Sequence, residues 1–552
     1  MSALDPAISG SATAEGPTDG QAKGPAEGPA EGTAERTTEG TAVQGSPAEN
    51  PDLARIVDSF PGVDRSVVLA DEHRSDGRRS WTAYVLPRRN EAVTDDGAAL
   101  EQSYVEEWRG VFDHVYGASA PGDATFDTRG WQSSYTGAEV DDADMRAWTD
   151  DTVERIQALG GRRLLEIGCG TGLLLHRLHA DAERYTASDI TAGAMTRIRD
   201  AFGGTLPEGV ELFQAPADDL SPVPPGSVDG VILNSVSQYL PDEPYLDRVL
   251  RQAVDVLDDG GFLFVGDVRS AALNRAFAAG IELARAPGGA PAEKVQTLAE
   301  RRCGMGTELL VDPGYFTDLA AALPRVAHVA VLPKRGRSDT EMTRYRYDVV
   351  IRLDRIPGGA APAIEWTPWA ERRPDAAEVR RILVEERPES LGLLDVPNSR
   401  TAADHAAAEL LARPDGPATA EEALKAARAA VGRTVDPEDL FALGDELPYA
   451  VRLSWARSQP DGGYDVAIVR SAPDGGPAPE PRFPSEPAPP RRHVNAPWFS
   501  RVEHLNLAKL RAHVRERLDG QEMPGRFVVL ESLPFAADGS VDRDALRTIH
   551  WA

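Results

Sequence analysis

The stretch Leu164–Gly172, LLEIGCGTG, decides how the rest of the chain is read. An apolar run leads into a turn with glycine at 168, 170 and 172, and LLLHRL then resumes with helical spacing. Strand, glycine turn and helix in that order aim backbone N–H groups and the positive helix end at one spot, where a ligand can meet them. Glycine at these places lets the ligand approach, because a Cβ would stand in the way. Glu166 precedes the first glycine, so the spacing is Glu-x-Gly-x-Gly-x-Gly and not the dinucleotide pattern G-x-G-x-x-G.

Working outward, apolar strands recur as RLLEIG, RYTASDI, VELFQA, VDGVILN and GGFLFVG, with helix-compatible stretches such as AGAMTRIRDAF and PYLDRVLRQAVDVL between them. That alternation predicts an α/β, Rossmann-like fold with a parallel sheet covered on both faces. HVAVLP and YDVVIRL follow as an antiparallel edge, and an Ala-rich helical stretch with VRLSWAR and YDVAIVR makes a smaller α+β lobe. Asp189 ends the second strand about 20 residues after the turn, where an acid accepts both hydroxyls of a ribose. The ends of the chain pattern together. LARIVDSF reads as a helix, SVVLA and WTAYVL as a hairpin turning at Asp76-Gly77, and RFVVLESLP as a strand. NLAKLRAHVRERLDG puts Leu507, Leu510, Val514 and Leu518 on one helical face between Asn506 and Gly520 as caps. These pieces are too few to fold separately, so the sequence predicts one small α+β unit split by a long insert.

Composition narrows the function. The chain has 552 residues and a formal net charge of -29, which argues against nucleic acid, whose phosphates call for clustered Lys and Arg. Residues 1–50 hold eight acidic and two basic side chains in Gly-Pro-Ala-Glu-like repeats, an expected disordered tail. Two cysteines, Cys169 and Cys303, are too few for a disulfide framework, and the scattered histidines give no metal site. No long apolar run and no leader pattern appear, so the expected location is cytoplasmic.

LLEIGCGTG resembles motif I of class I S-adenosylmethionine-dependent methyltransferases. GWQSSYTG (130–137), ILNSVSQYLPDEPYLDRVL (232–250), GDVRS (266–270), ELLVDPGYF (308–316), LPKRGRSDTEMTRYRYDVV (332–350) and VPNSR (396–400) narrow the likeness. Together they resemble the methyltransferase domains of nonribosomal peptide synthetases, which sit inside the small C-terminal subdomain of an adenylation domain. The closing DGSVDRDAL resembles the end of that subdomain, with Ser540 where a catalytic lysine is usual. The resemblance implies a tail at 1–48, halves of the adenylation-type subdomain at 49–95 and 496–552, a methyltransferase domain at 100–355, its α+β lobe at 356–470 and a Pro-rich linker at 471–495. It also implies a free-standing methyltransferase without adenylating activity.

By the same resemblance S-adenosyl-L-methionine is the cofactor, held by Tyr135, Glu166, Gly168, Gly170, Gly172, Asp189, Ala217, Asp218 and Asn234. Ala217 and Asp218, from APADD, would take the adenine. Asn234, Ser235, Gln238 and Tyr239 stand where the methyl acceptor lies, Asn234 orienting the nucleophile. Glu308, Glu341 and Arg344 match charged positions that hold the amine or thioester, and Asp267 is a proton acceptor or a structural turn. For each of these packing or a surface pair is the plain alternative. Gln132 and Ala278 depart from the family, which often has Asn and His there. The implied reaction is N-methylation of an aminoacyl group on a carrier protein; the alternative is O-, C- or N-methylation of a diffusible small molecule. PKRGR (333–337) and PPRRH (489–493) are the candidate basic surfaces for an acidic carrier.

Overall fold

The computed structural model describes residues 49–546 except 61–62, 72–79, 88–92, 118–121, 305, 357, 359–361, 414, 472–478, 485–492, 496, 498–506, 519–522, 525, 531–540 and 544–545. The expectations for the tail, the Asp76-Gly77 turn, the caps Asn506 and Gly520, and Ser540 lie outside the described residues. The chain divides into two compact units, one within 91–502 and one drawn from residues up to 90 and from 503 on.

The larger unit is built on seven strands: β1 (Arg163–Ile167), β2 (Arg184–Asp189), β3 (Val210–Gln214), β4 (Val228–Asn234), β5 (Leu257–Arg269), β6 (Val326–Pro333) and β7 (Arg346–Leu353). Their order is β3-β2-β1-β4-β5-β7-β6. The first five run parallel, and β7 and β6 close one edge antiparallel. Period-two alternation sends neighbouring residues to opposite faces. Leu165, Ile167, Val231, Leu233, Leu263 and Val265 enter one core, and Leu164, Ile232, Phe262 and Phe264 enter the other. Strands buried on both sides must be apolar throughout, which is why RLLEIG and VDGVILN read as unbroken runs.

Five helices bear on the site: α1 (Val93–Gly117), α2 (Asp142–Gln157), α3 (Ala192–Ala201), α4 (Glu243–Val256) and α5 (Asn274–Arg285). Asp242 caps α4 by accepting the Tyr245 amide at 2.9 Å, with Pro244 in the first turn. Thr191 caps α3 through the Ala194 amide. The helix after the glycine turn is short, only Leu175–Leu178, and passes into a 3-10 turn.

The lobe after residue 356 has strands β8 (Trp366–Pro368), β9 (Ser390–Val396), β10 (Tyr449–Ser454) and β11 (Tyr464–Arg470) in the order β8-β9-β11-β10. Its Val396, Leu453 and Val466 share one core with Leu263, Tyr347 and Val349, so lobe and seven-stranded sheet are continuous. Ala278 of α5 packs with Ala407, Ala408 and Leu411 of the lobe. A methyl fits that alanine layer where an imidazole would crowd it.

In the smaller unit Val63–Asp71 pairs antiparallel with Ser80–Pro87, and Arg526–Val529 adds in parallel on the other side. Leu53 and Val57 of the helix Pro51–Asp58, and Leu510 and Val514 of the helix Leu507–Arg517, pack on Val68, Val85 and Phe527. The division near 90 precedes the expected 95–100, because α1 starts at Val93, and the expected boundary at 496 lies outside the described residues.

Candidate active site

The glycine turn closes on the end of β2. Gly168 and Cys169 donate their amides to the Ser188 carbonyl at 2.8 and 2.9 Å, and Gly170 donates to Asp189 Oδ2 at 2.9 Å. The amides expected to face a ligand are thus committed within the protein, and with only a four-residue helix behind them the dipole contribution is small. What the glycines supply is conformation and space. Gly168, Gly170 and Gly172 have φ of 72°, 53° and 87°, and a Cβ on Gly168 would meet Val236 at 2.4 Å. Gly172 does not line either cavity described below; a Cβ there would press on Ile198 and His176.

Two small cavities flank the turn. One, of about 110 Å³, is lined by Gly168, Asp189, Ala217, Val236 and Tyr239 on the sheet side and by Trp108, Phe112 and Tyr116 of α1. The other, of about 60 Å³, is lined by Glu166, Gly170, Asn234, Arg129, Trp131 and Trp148, with Gly168 and Tyr116 common to both. A larger cleft, about 1180 Å³, lies between β6 and β10 and includes none of the residues expected at the site.

Asp189 is buried and accepts the Thr191 amide and hydroxyl on Oδ1 at 2.9 and 2.8 Å. Burial raises its pKa above the ordinary carboxylate value against these hydrogen bonds. Glu166 is pushed up to about 8 by burial, opposed by the Tyr185 hydroxyl, which donates to it at 2.7 Å. Asp218 is not among the cavity residues. Its carboxylate accepts from Tyr245 at 2.6 Å and from Arg248, so only Ala217 of that expected pair reaches the cavity.

On the acceptor side, Asn234 Oδ1, Gln238 Oε1 and the Tyr239 hydroxyl are buried with no partner in hydrogen-bonding geometry, Gln238 lying near enough to act on the phenol. Unsatisfied buried polar atoms are uncommon and call for a reason. Glu308, Glu341 and Arg344 line neither cavity. Glu308 is paired with Arg269, and Glu341 accepts the Ser134 amide and hydroxyl at 2.7 and 2.9 Å. Arg344 is paired with Asp404 of the lobe. Tyr135 bonds the Tyr345 hydroxyl at 3.2 Å, away from the glycine turn, and burial raises its pKa to about 12. Asp267 is fully buried and paired with Arg346, which favours the structural alternative over a proton acceptor. The PKRGR surface is also corrected. Lys334 is buried on Asp348, Arg335 is held by Glu438 and Arg337 by Asp439, leaving little free positive charge. Of PPRRH only His493 is described.

Sequence reading missed α1. Tyr104, Trp108, Phe112 and Tyr116 recur every fourth residue, a helical stripe in plain view. Their rings stack in series, Trp108 on Phe112 at 5.9 Å and Phe112 on Tyr116 at 5.7 Å, and Tyr239 packs against Trp108 at 4.6 Å. The Tyr116 hydroxyl ends 3.0 Å from where a Cβ on Gly170 would lie.

Residues 165–263 match a family model described as a methyltransferase domain. Over 91% of its length the chain is 35% identical to a chondramide synthase of Chondromyces crocatus, covering 13% of that protein. It is 31% identical, again over 91%, to a probable non-canonical nonribosomal peptide synthetase of Salinispora arenicola, covering 6% of it. The chain carries a methyltransferase domain of the nonribosomal peptide synthetase type. It spans only a small part of those relatives. Among solved structures, the N-methyltransferase NodS from Bradyrhizobium japonicum WM9, in complex with S-adenosyl-L-homocysteine, aligns with 45% of this chain and 98% of its own at 14% identity and a TM-score of 0.29. Among the described residues no cluster of potential metal ligands occurs, and no helix is long and apolar enough to cross a membrane.

Proposed function

We propose that the chain is an S-adenosylmethionine-dependent N-methyltransferase acting on the amine of a carrier-tethered aminoacyl group. The residues around the turn suit that cofactor. Asp189 is a buried carboxylate beside an aromatic cavity, where it would accept the ribose hydroxyls, while Ala217 and the α1 rings would enclose the adenine. Glu166 and Asn234, lining the second cavity, would face the methionine portion. When bound, the cofactor supplies an electrophilic methyl on a positively charged sulfur.

The observation that carries the amine reading is the unpartnered acceptor Asn234 Oδ1 on the second cavity, with Gln238 Oε1 also unpartnered though Gln238 lines neither cavity. A nucleophilic amine has N–H groups to donate while its lone pair points elsewhere, and a buried oxygen without a donor accepts one of them. An aminoacyl amine, with a reference pKa of about 8, loses its proton readily at a dry site, so strong base catalysis is not required. Tyr239, packed under Trp108 and Phe112, excludes water from the same place. A carbon acceptor would leave these oxygens unsatisfied.

The test incubates the protein with S-adenosylmethionine and candidate acceptors, each free or loaded on a carrier, and weighs the products intact. A gain of one methyl on the loaded carrier alone is expected. A gain on the free compound alone overturns the carrier in favour of a diffusible substrate, and a methyl placed on oxygen or carbon overturns the amine.

A further inference from the structure

The C-terminal ends of β4 and β5 place two non-glycine residues in the left-handed region side by side, Ser235 at φ 57° and Asp267 at φ 62°. Such backbone persists only where its surroundings impose it, and it gathers at functional sites. Here the surroundings are explicit. The Ser235 amide donates to the Gly266 carbonyl at 3.1 Å, and the Asp267 amide donates to Asp348 Oδ1 at 2.9 Å. Asp348 is itself pinned by Lys334 and Arg155. The Asp267 carboxylate, fully buried, takes Arg346, the Trp148 indole N–H at 3.3 Å and the Ser235 hydroxyl at 2.7 Å.

That last bond has a directional consequence. Since the one hydroxyl proton of Ser235 goes to Asp267, its oxygen has only lone pairs to offer Asn234. It accepts from Asn234 Nδ2 at 3.3 Å, and this turns the other end of the amide, Oδ1, to the side where it is buried without a partner. Gly266 leaves the room for it, as a Cβ there would lie 2.1 Å from Oδ1. A serine whose proton pointed elsewhere would let the amide flip. Asn234 would then present N–H to the acceptor amine and engage the lone pair that must attack.

We infer that Ser235 and Asp267 are positioning residues that hold the Asn234 carbonyl oxygen toward the methyl acceptor. The inference rests on the amine reading above. Neither residue touches the reacting atoms in this role; they act through Asn234, with Arg346 paired to Asp267 behind them.

The test uses the full chain with Ser235→Ala, which removes the hydroxyl alone, and Ser235→Gly, which also removes the left-handed strain should the first variant fold poorly. In both, thermal midpoint, affinity for S-adenosylhomocysteine and KM for the acceptor are expected to stay within about twofold or a few degrees, while kcat falls about 10- to 100-fold, the scale of a misplaced reactant. A second readout needs no turnover. In protein labelled with 15N at asparagine, the Asn234 side-chain amide pair, assigned by its loss in Asn234→Asp, should shift in Ser235→Ala. A wild-type kcat in both serine variants, or an unmoved amide pair, overturns the positioning role. Wild-type protein that methylates no amine while the Asn234 signals still respond to Ser235 overturns the amine reading instead.

Discussion

Asp189 Oδ2 accepts the Gly170 amide at 2.9 Å, so the carboxylate expected to meet a ribose also ties down the turn next to it. In the proposed cofactor site, recognition of the ribose and the shape of the loop would therefore depend on the same carboxylate. Asp189→Ala would leave the Gly170 amide and two donors of Thr191 unpaired and so confuse binding with stability. Asp189→Asn keeps one acceptor oxygen for the two Thr191 donors and removes the charge, but sets its NH2 against the Gly170 amide, so its affinity is read beside its thermal midpoint. It is expected to weaken S-adenosylhomocysteine at least about 10-fold by calorimetry, the scale of a charge-assisted hydrogen bond. Gly170→Val, which forces a side chain into positive φ under Tyr116, should abolish binding. Unchanged affinity in both variants would remove the pocket.

Glu166 gives a pH signature. Its folded pKa of about 8 lies above the ordinary glutamate value of 4.5, so between these values the native chain holds a proton that the unfolded chain has lost. The contribution of this group to stability is greatest below pH 4.5, falls as pH rises and levels off above 8. Glu166→Gln cannot ionise and should flatten the profile. Urea unfolding at pH 5.5 and 8.5 should show the wild type losing about 3 kcal/mol relative to the variant across that interval; parallel profiles would show that Glu166 does not titrate there.

Tyr239 separates packing from chemistry. Its hydroxyl is buried without a bonded partner, so Tyr239→Phe costs no hydrogen bond and preserves the contacts with Trp108 and Phe112. The thermal midpoint is expected to hold or rise slightly, while methyl transfer slows about tenfold if the hydroxyl polarises the proposed acceptor. A variant with wild-type kcat would make Tyr239 a packing residue.

Lys334 tests the scaffold behind the site. It is buried, 2.9 Å from Asp348, which Arg155 also contacts. Burial alone would raise the Asp348 pKa, but the two cations hold it below the ordinary value. Lys334→Met leaves Asp348 with one cation and should cost about 3 kcal/mol, toward the low end for breaking a buried pair. The loss should shrink on acidification, because the stability Asp348 adds is present at neutral pH and disappears as pH falls through its folded value. Denaturant unfolding at pH 7 and pH 4 measures both effects.

LLEIGCGTG, the alternating strands and Asp189 were legible in the chain itself because local rules govern them: two-face burial makes strands uniformly apolar, and a turn against a ligand or a neighbouring side chain tolerates glycine alone. The sequence by itself thus determined the strand–helix alternation and the position of the turn. Only the tertiary structure decided which polar groups are free. Glu308, Glu341, Arg344 and Lys334 read as available charges, yet each is partnered inside the fold: Glu308 by Arg269, Glu341 by Arg346 and the distant Ser134, Arg344 by Asp404 and Lys334 by Asp348. The stripe Tyr104–Trp108–Phe112–Tyr116 likewise gained meaning only when α1 was seen against Gly168 and Tyr239. Periodicity records which face of an element is buried; it carries no information about what that face is buried against, because the partner is brought there by the folding of the whole chain.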